Sequence, residues 1–115
     1  MFKKIFTAGD DTKLKEALTA GAILIDVRSA GEFATGNIKG SVNIPLDRLG
    51  SQMQVLKKHK PIVVFCRSGN RSNTAKAILQ QKGFSNIIDG GSINNVNKLI
   101  TNKQILYEKE YGFRR

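Results

Sequence analysis

Apolar residues along the chain occur in two patterns: short unbroken runs, and stretches in which every third or fourth residue is apolar. The clearest runs are Ala-Ile-Leu-Ile at 22–25 and Ile-Val-Val-Phe at 62–65, the second opened by Pro61. Continuous runs of this length predict strands buried on both faces of a parallel sheet. Shorter strand signals lie at Ile5-Phe6, at 41–44 (stopped by Pro45) and at 84–88, after which Gly90-Gly91 predicts a turn. Helical patterns fill the intervals. Leu14, Ala17 and Leu18 share one face of a helix capped by Asp10 or Asp11 and ended by Gly21. Residues 31–34 predict a single turn before Gly36. Asp47 suits the N-cap of a helix lined by Leu49, Met53 and Leu56, although Gly50 weakens it. Ala75, Ile78 and Leu79 form the inward face of a helix capped by Asn70 or Ser72, with Gly83 as its left-handed stop. Val96, Leu99 and Ile100 predict a last amphipathic helix, and the mixed, charged residues 103–115 read as a final helix or a frayed tail.

Strands alternating with helices imply right-handed crossovers and a mainly parallel sheet covered on both faces, an α/β fold. With 115 residues the chain is expected to be one domain over 1–115. At 40% hydrophobic and 24% charged residues it has the composition of a globular protein and not of a disordered tail. Cys66 is the only cysteine, which excludes a disulfide framework, and His59 the only histidine, which excludes a zinc site built from Cys and His. His59 follows Lys57-Lys58 at an expected helix end, where complementing the helix dipole is its natural role. The apolar runs fall far short of the roughly 18–20 residues of a transmembrane helix. Lys3 and Lys4 begin the chain like a signal peptide, but Asp10 and Asp11 interrupt any apolar segment, so the expected compartment is the cytoplasm. The net charge of +10, from 19 Lys/Arg against 9 Asp/Glu, favours anionic partners. The basic residues are scattered, with no long run or aromatic interleaving, so a small anionic substrate or an acidic protein fits better than nucleic acid.

In open parallel sheets, ligands bind outside the carboxyl ends of the strands. Cys66 stands there, directly after the strongest strand signal, and is followed by Arg67, Ser68, Gly69, Asn70 and Arg71 before a helix. A short loop with a glycine, entering a helix, can turn several backbone N–H groups toward one point and bind an anion. A thiolate at that point is stabilised, so the Cys66 thiol is expected to have a depressed pKa, aided by Arg67 and Arg71. No His or Asp base stands nearby in sequence; cysteine can do without one because its thiolate forms easily. Ser68 and Ser72 either donate hydrogen bonds to the sulfur or satisfy the turn.

Three ordered motifs resemble a known family. Leu24-Ile25-Asp26-Val27-Arg28, then Glu32-Phe33 with Gly36-Asn37-Ile38-Lys39-Gly40-Ser41-Val42-Asn43-Ile44-Pro45, and later the 66–71 loop are similar to those of single-domain rhodaneses, with a resemblance running from about 7 to 99. The resemblance implies a rhodanese-like three-layer sandwich with a five-stranded, mostly parallel sheet and a domain core over about 7–100. It implies sulfurtransferase chemistry: Cys66 takes sulfane sulfur from a small anionic donor such as thiosulfate, becomes a persulfide, and gives the sulfur to cyanide, a thiol or a protein acceptor. Cys66 would be catalytic, residues 67–72 would bind substrate, and Asp26, Arg28 and Glu32 would brace the neighbouring loops. Since sulfur itself is the transferred group, neither a metal nor an organic cofactor is called for. Asn37 and Asn95 stand where the family commonly has His and Trp. Two alternatives are a non-catalytic or partner-dependent sulfur carrier, and a Cys-dependent phosphatase or arsenate reductase. The latter enzymes use five residues between Cys and Arg, whereas four separate Cys66 from Arg71.

Overall fold

The computed structural model describes residues 12–52, 56 and 60–101. Helix α1 covers residues 12–19, followed by strand β1 (Ile23–Asp26), helix α2 (Ala30–Thr35), strand β2 (Val42–Asn43) and a 3-10 helix (Leu46–Ser51). Then come strand β3 (Ile62–Cys66), helix α3 (Asn70–Gln81), strand β4 (Ile87–Ser92) and helix α4 over residues 93–101. The strands form one sheet in the order β2-β1-β3-β4, and every pairing is parallel. The expected α/β architecture is therefore present. The sheet has four strands among the described residues where the resemblance implies five, and the candidate strand at Ile5-Phe6 lies outside them. None of the described helices is long and apolar enough to cross a membrane.

The unbroken apolar run of β3 is explained by its central place: all five of its residues are buried, and alternate side chains enter opposite cores. Ile62, Val64 and Cys66 pack with Ile25, Leu49, Ala75 and Leu79, a core closed by α3 and the 3-10 helix. Val63 and Phe65 pack with Leu14, Ala17, Val96 and Leu99, a core closed by α1 and α4. Both faces are thus covered, giving three layers.

Three local expectations need correction. The strand expected at 84–88 runs instead over Ile87–Ser92. Phe84 belongs to the turn after α3, where it is buried and its N–H donates to the Leu79 carbonyl at 3.0 Å. Gly90-Gly91 lie within β4 rather than ending it: Val64 pairs with Asp89 but Phe65 pairs with Gly91, so Gly90 is the extra residue of a β-bulge. The helix expected after Asp47 is a 3-10 turn with Pro45 at its N-cap and no side-chain cap; Leu49 and Leu56 are buried as expected, and Met53 lies outside the described residues. Asp10, Asp11, His59 and residues 103–115 also lie outside them.

The bulge depends on the smallness of Gly90. A Cβ there would stand 2.7 Å from Val96 Cγ2, 3.0 Å from Val63 Cγ1 and 3.3 Å from the Val64 carbonyl oxygen. We expect Gly90→Ala to destabilise the fold by about 1–3 kcal/mol, the usual cost of overpacking. By contrast, Gly31 in α2 has open space around it, and Gly31→Ala should be neutral or stabilising by up to about 1 kcal/mol. Chemical denaturation of both variants checks the contrast, and equal effects would contradict the packing argument.

Candidate active site

Strand β3 carries Cys66 to the carboxyl edge of the sheet, where its side chain is completely buried. The next three residues turn the chain into α3. The N-cap of α3 is Gly69, with φ +101° and ψ −13°, and no side chain caps the helix. Asn70 and Ser72, the expected caps, are helical residues instead. The left-handed Gly69 lets the first amides of the helix converge on the cysteine. The Gly69 N–H donates to Cys66 Sγ at 3.0 Å, and the backbone N–H groups of Ser72, Ser68 and Arg71 also favour the sulfur anion. Burial is the largest single influence on the thiol and pushes its pKa up, but the four amides together outweigh it and the net shift is downward. What favours the anion here is backbone N–H and not a side chain.

The two arginines of the loop play different parts. Arg67 is exposed on the rim and makes no hydrogen bond or ion pair with the described residues. Arg71 is tied to Glu32 of α2 by a fork, Nη1 to Oε1 at 2.7 Å and Nη2 to Oε2 at 3.1 Å. This bond raises the Arg71 pKa, and the sulfur anion adds to the effect. Glu32 in turn is pulled down to about 2, chiefly by Arg71 and then by the Ser29 N–H. Ser29 and Glu32 form a capping box: the Ser29 hydroxyl accepts from the Glu32 N–H, and Glu32 Oε1 accepts from the Ser29 N–H.

Asp26 and Arg28 form the brace beneath. Asp26 is fully buried at the end of β1, and its carboxylate accepts from Arg28 Nε at 2.9 Å and Nη2 at 2.8 Å and from the Arg28 backbone N–H at 3.0 Å. Arg28 Nη2 also donates to the Gly36 carbonyl at 2.7 Å, fastening the far end of α2. The Asp26 hydrogen bond is the main cause of a raised Arg28 pKa. So the structure gathers Asp26, Arg28, Glu32 and Arg71 around the loop, while Arg67, Ser68 and Asn70 expose their side chains at its mouth.

Other residues contribute that the sequence reading did not single out. Asn43 Nδ2 donates to the carbonyls of Asp26 and Arg28, at 3.0 and 2.9 Å, and holds the exit of β1. Ser29 was recognisable from the Ser-x-x-Glu spacing of a capping box. Asp89 accepts from the buried Ser72 hydroxyl at 2.7 Å, a contact between residues 17 apart that carries no local signal. Where the resemblance leads one to expect Trp, Asn95 Nδ2 donates to the Gly90 carbonyl at 3.1 Å; Asn37 Nδ2 donates to the Phe33 carbonyl at 2.9 Å.

Residues 10–94 match the model of the rhodanese-like domain. The chain belongs to that family. A sulfurtransferase of Allochromatium vinosum is 33% identical to this rhodanese-like domain over 88 residues, 73% of this chain and 82% of that protein. Thiosulfate sulfurtransferase GlpE of Pseudomonas savastanoi is 38% identical over 73 residues, 62% of this chain and 69% of that one. Among solved structures, the human single-domain sulfurtransferase TSTD1 superposes with a TM-score of 0.66 at 28% identity, covering 76% of this chain and 91% of that one. A rhodanese-related protein of Thermoplasma volcanium gives 0.63 at 36% identity, covering 74% and 84%.

Two titrations test the electrostatics of this rhodanese-like site. The rate of alkylation of Cys66 against pH should inflect below the roughly 8.5 of a free cysteine; an inflection at or above that value would mean the amides do not converge on the sulfur in solution. Glu32 has a depressed pKa, so the stability it contributes is present above its ordinary value of 4.5 and is lost as pH falls through about 2. A carboxyl NMR titration should show Glu32 still ionised at about pH 3, and Arg71→Ala should return it toward the ordinary carboxylate range.

Proposed function

We propose that the protein is a sulfurtransferase in which the Cys66 thiolate carries the transferred sulfur. The observation that supports this most directly is the Gly69 N–H donating to Cys66 Sγ at 3.0 Å at the head of α3, where neighbouring backbone N–H groups also favour the sulfur anion. The thiolate attacks the outer, sulfane sulfur of an anionic donor such as thiosulfate. An S–S bond forms to Cys66, the S–S bond of the donor breaks, and sulfite leaves with the electron pair. The persulfide anion occupies the space above the loop, where the N-terminus of α3 and the exposed Arg67 favour negative charge. A thiophilic nucleophile, cyanide or a thiolate, then attacks the outer sulfur and expels the Cys66 thiolate, so no net oxidation of the protein occurs. Arg67 attracts the anionic donor. Arg71 holds the loop in shape through Glu32. The names of the relatives, sulfurtransferase and thiosulfate sulfurtransferase, favour the same donor class.

The loop size argues against phosphate chemistry. Only four residues separate Cys66 from Arg71, a tight ring for a group with three outer oxygens. The loop also offers no carboxylic acid to protonate a leaving group, since Asp26 is bound by Arg28 and Glu32 by Arg71.

Intact mass after incubation with thiosulfate provides the test. The protein should gain one sulfur atom and lose it again with cyanide or a reductant. Cys66→Ser should remain folded, gain no sulfur and show only background thiocyanate formation; persistent turnover in that variant would rule out the mechanism. Arg71→Ala should slow transfer about 10- to 100-fold, the effect of deleting a charged hydrogen-bond partner, and Arg67→Ala should cost less. Hydrolysis of aryl phosphates should be negligible under the same conditions.

A further inference from the structure

Gly91 and Ser72 belong to different elements, β4 and α3, yet one oxygen binds both. Asp89 Oδ1 accepts from the Gly91 N–H at 2.9 Å and from Ser72 Oγ at 2.7 Å. Ser72 is completely buried, and its hydroxyl also lies 3.0 Å from the Gly69 carbonyl and 3.5 Å from the Gly91 carbonyl. The Asp89 contact is the shortest of the three, and a hydroxyl has one proton to give. Ser72 therefore joins three places: the N-cap of α3, the bulge of β4, and Asp89. Its own backbone N–H is one of the four that favour the sulfur anion, as is that of Gly69. Gly69 faces Gly91 across the loop: a Cβ added to Gly69 would be 3.7 Å from Gly91 Cα.

We infer that Asp89 is a positioning residue for the chemistry at Cys66: by clamping Ser72 to the β4 bulge, it holds the amides of Gly69 and Ser72 on the sulfur. Its hydrogen-bond partners are Ser72 and Gly91 and not the sulfur, so it acts through Ser72. The requirement is for an acceptor oxygen at the Oδ1 position, not for negative charge, because both of its partners are uncharged donors. The two other carboxylates described near the loop are already engaged, Glu32 with Arg71 and Asp26 with Arg28, and the exposed Arg67 has no acceptor atom, so none of them can replace Asp89 at Ser72.

This role rests on the sulfurtransferase reading for its effect on turnover, but its effect on the Cys66 thiol can be measured without turnover. The experiment compares Asp89→Ala, Asp89→Asn and Ser72→Ala by circular dichroism, by alkylation rate against pH, and by sulfur transfer from thiosulfate to cyanide. Asp89→Ala and Ser72→Ala should each raise the alkylation inflection of Cys66 by about half a unit to one unit, as amides drift from the anion, and slow transfer about tenfold. Asp89→Asn keeps an oxygen acceptor and should leave the inflection within about 0.2 unit and the transfer rate within about twofold of the unaltered protein. The double variant Asp89→Ala/Ser72→Ala should be little worse than either single one, because the two residues act as one unit. If Asp89→Ala does not fold, Ser72→Ala and Asp89→Asn decide the matter. An unmoved inflection in folded Ser72→Ala, or an Asp89→Asn shift as large as that of Ser72→Ala, would overturn the proposal. If the unaltered protein transfers no sulfur, the proposed function fails, while the alkylation profiles still decide whether Asp89 positions the loop.

Discussion

An anionic sulfur can be held away from water only if the protein replaces the hydrogen bonds that water supplied. Here the replacement is the backbone at the head of α3, and much of the surrounding structure follows from that demand. The amides can converge only if the chain bends through a left-handed residue, which falls to Gly69. Gly69 then faces Gly91, whose position depends on the extra residue Gly90, and Gly90 fits only because Val63 and Val96 find no Cβ there. A single local requirement at Cys66 thus reaches both cores and two strands.

The opposite wall of the site is held by a different kind of force. Helix α2 buries no residue completely, and of its apolar side chains only Phe33 is half-buried. It is fixed at three polar points: its capping box, the Arg71–Glu32 fork, and the Arg28 bond to the Gly36 carbonyl. Arg28 can serve there because its charge is already balanced by Asp26, which would be costly to bury alone. Charge pairs in this domain therefore place a loop that packing leaves free.

Most of the fold could be read from the chain. The run at 62–65 is apolar because β3 is covered on both faces, and Leu14, Ala17, Ala75 and Leu79 repeat at helical spacing because each helix covers one face of the sheet. What could not be read depended on partners distant in sequence. Gly90-Gly91 gives the same local signal in a turn as in a bulge, and only Val63, Val64 and Val96 decide between them. Composition points to a side-chain cap for α3 at Asn70 or Ser72, whereas the N-cap is Gly69, whose N–H is given to the sulfur of Cys66. At the site, Cys66 and its loop were legible from their place after a strand. The partner of Arg71, 39 residues away, and the role of Asp89 required the folded arrangement.

Cys66 is the only thiol in the chain, and it lies at the floor of its loop. Proteins with a second, nearby cysteine can discharge a modified thiol internally by closing a disulfide. This chain has no such exit. In the proposed cycle each molecule is either empty or holds one sulfur atom, and only an outside nucleophile can return it to the empty state. Its return to the empty state then waits on the supply of acceptor. The same holds for accidental oxidation of Cys66 to a sulfenic acid, whose repair would wait on a thiol from another molecule.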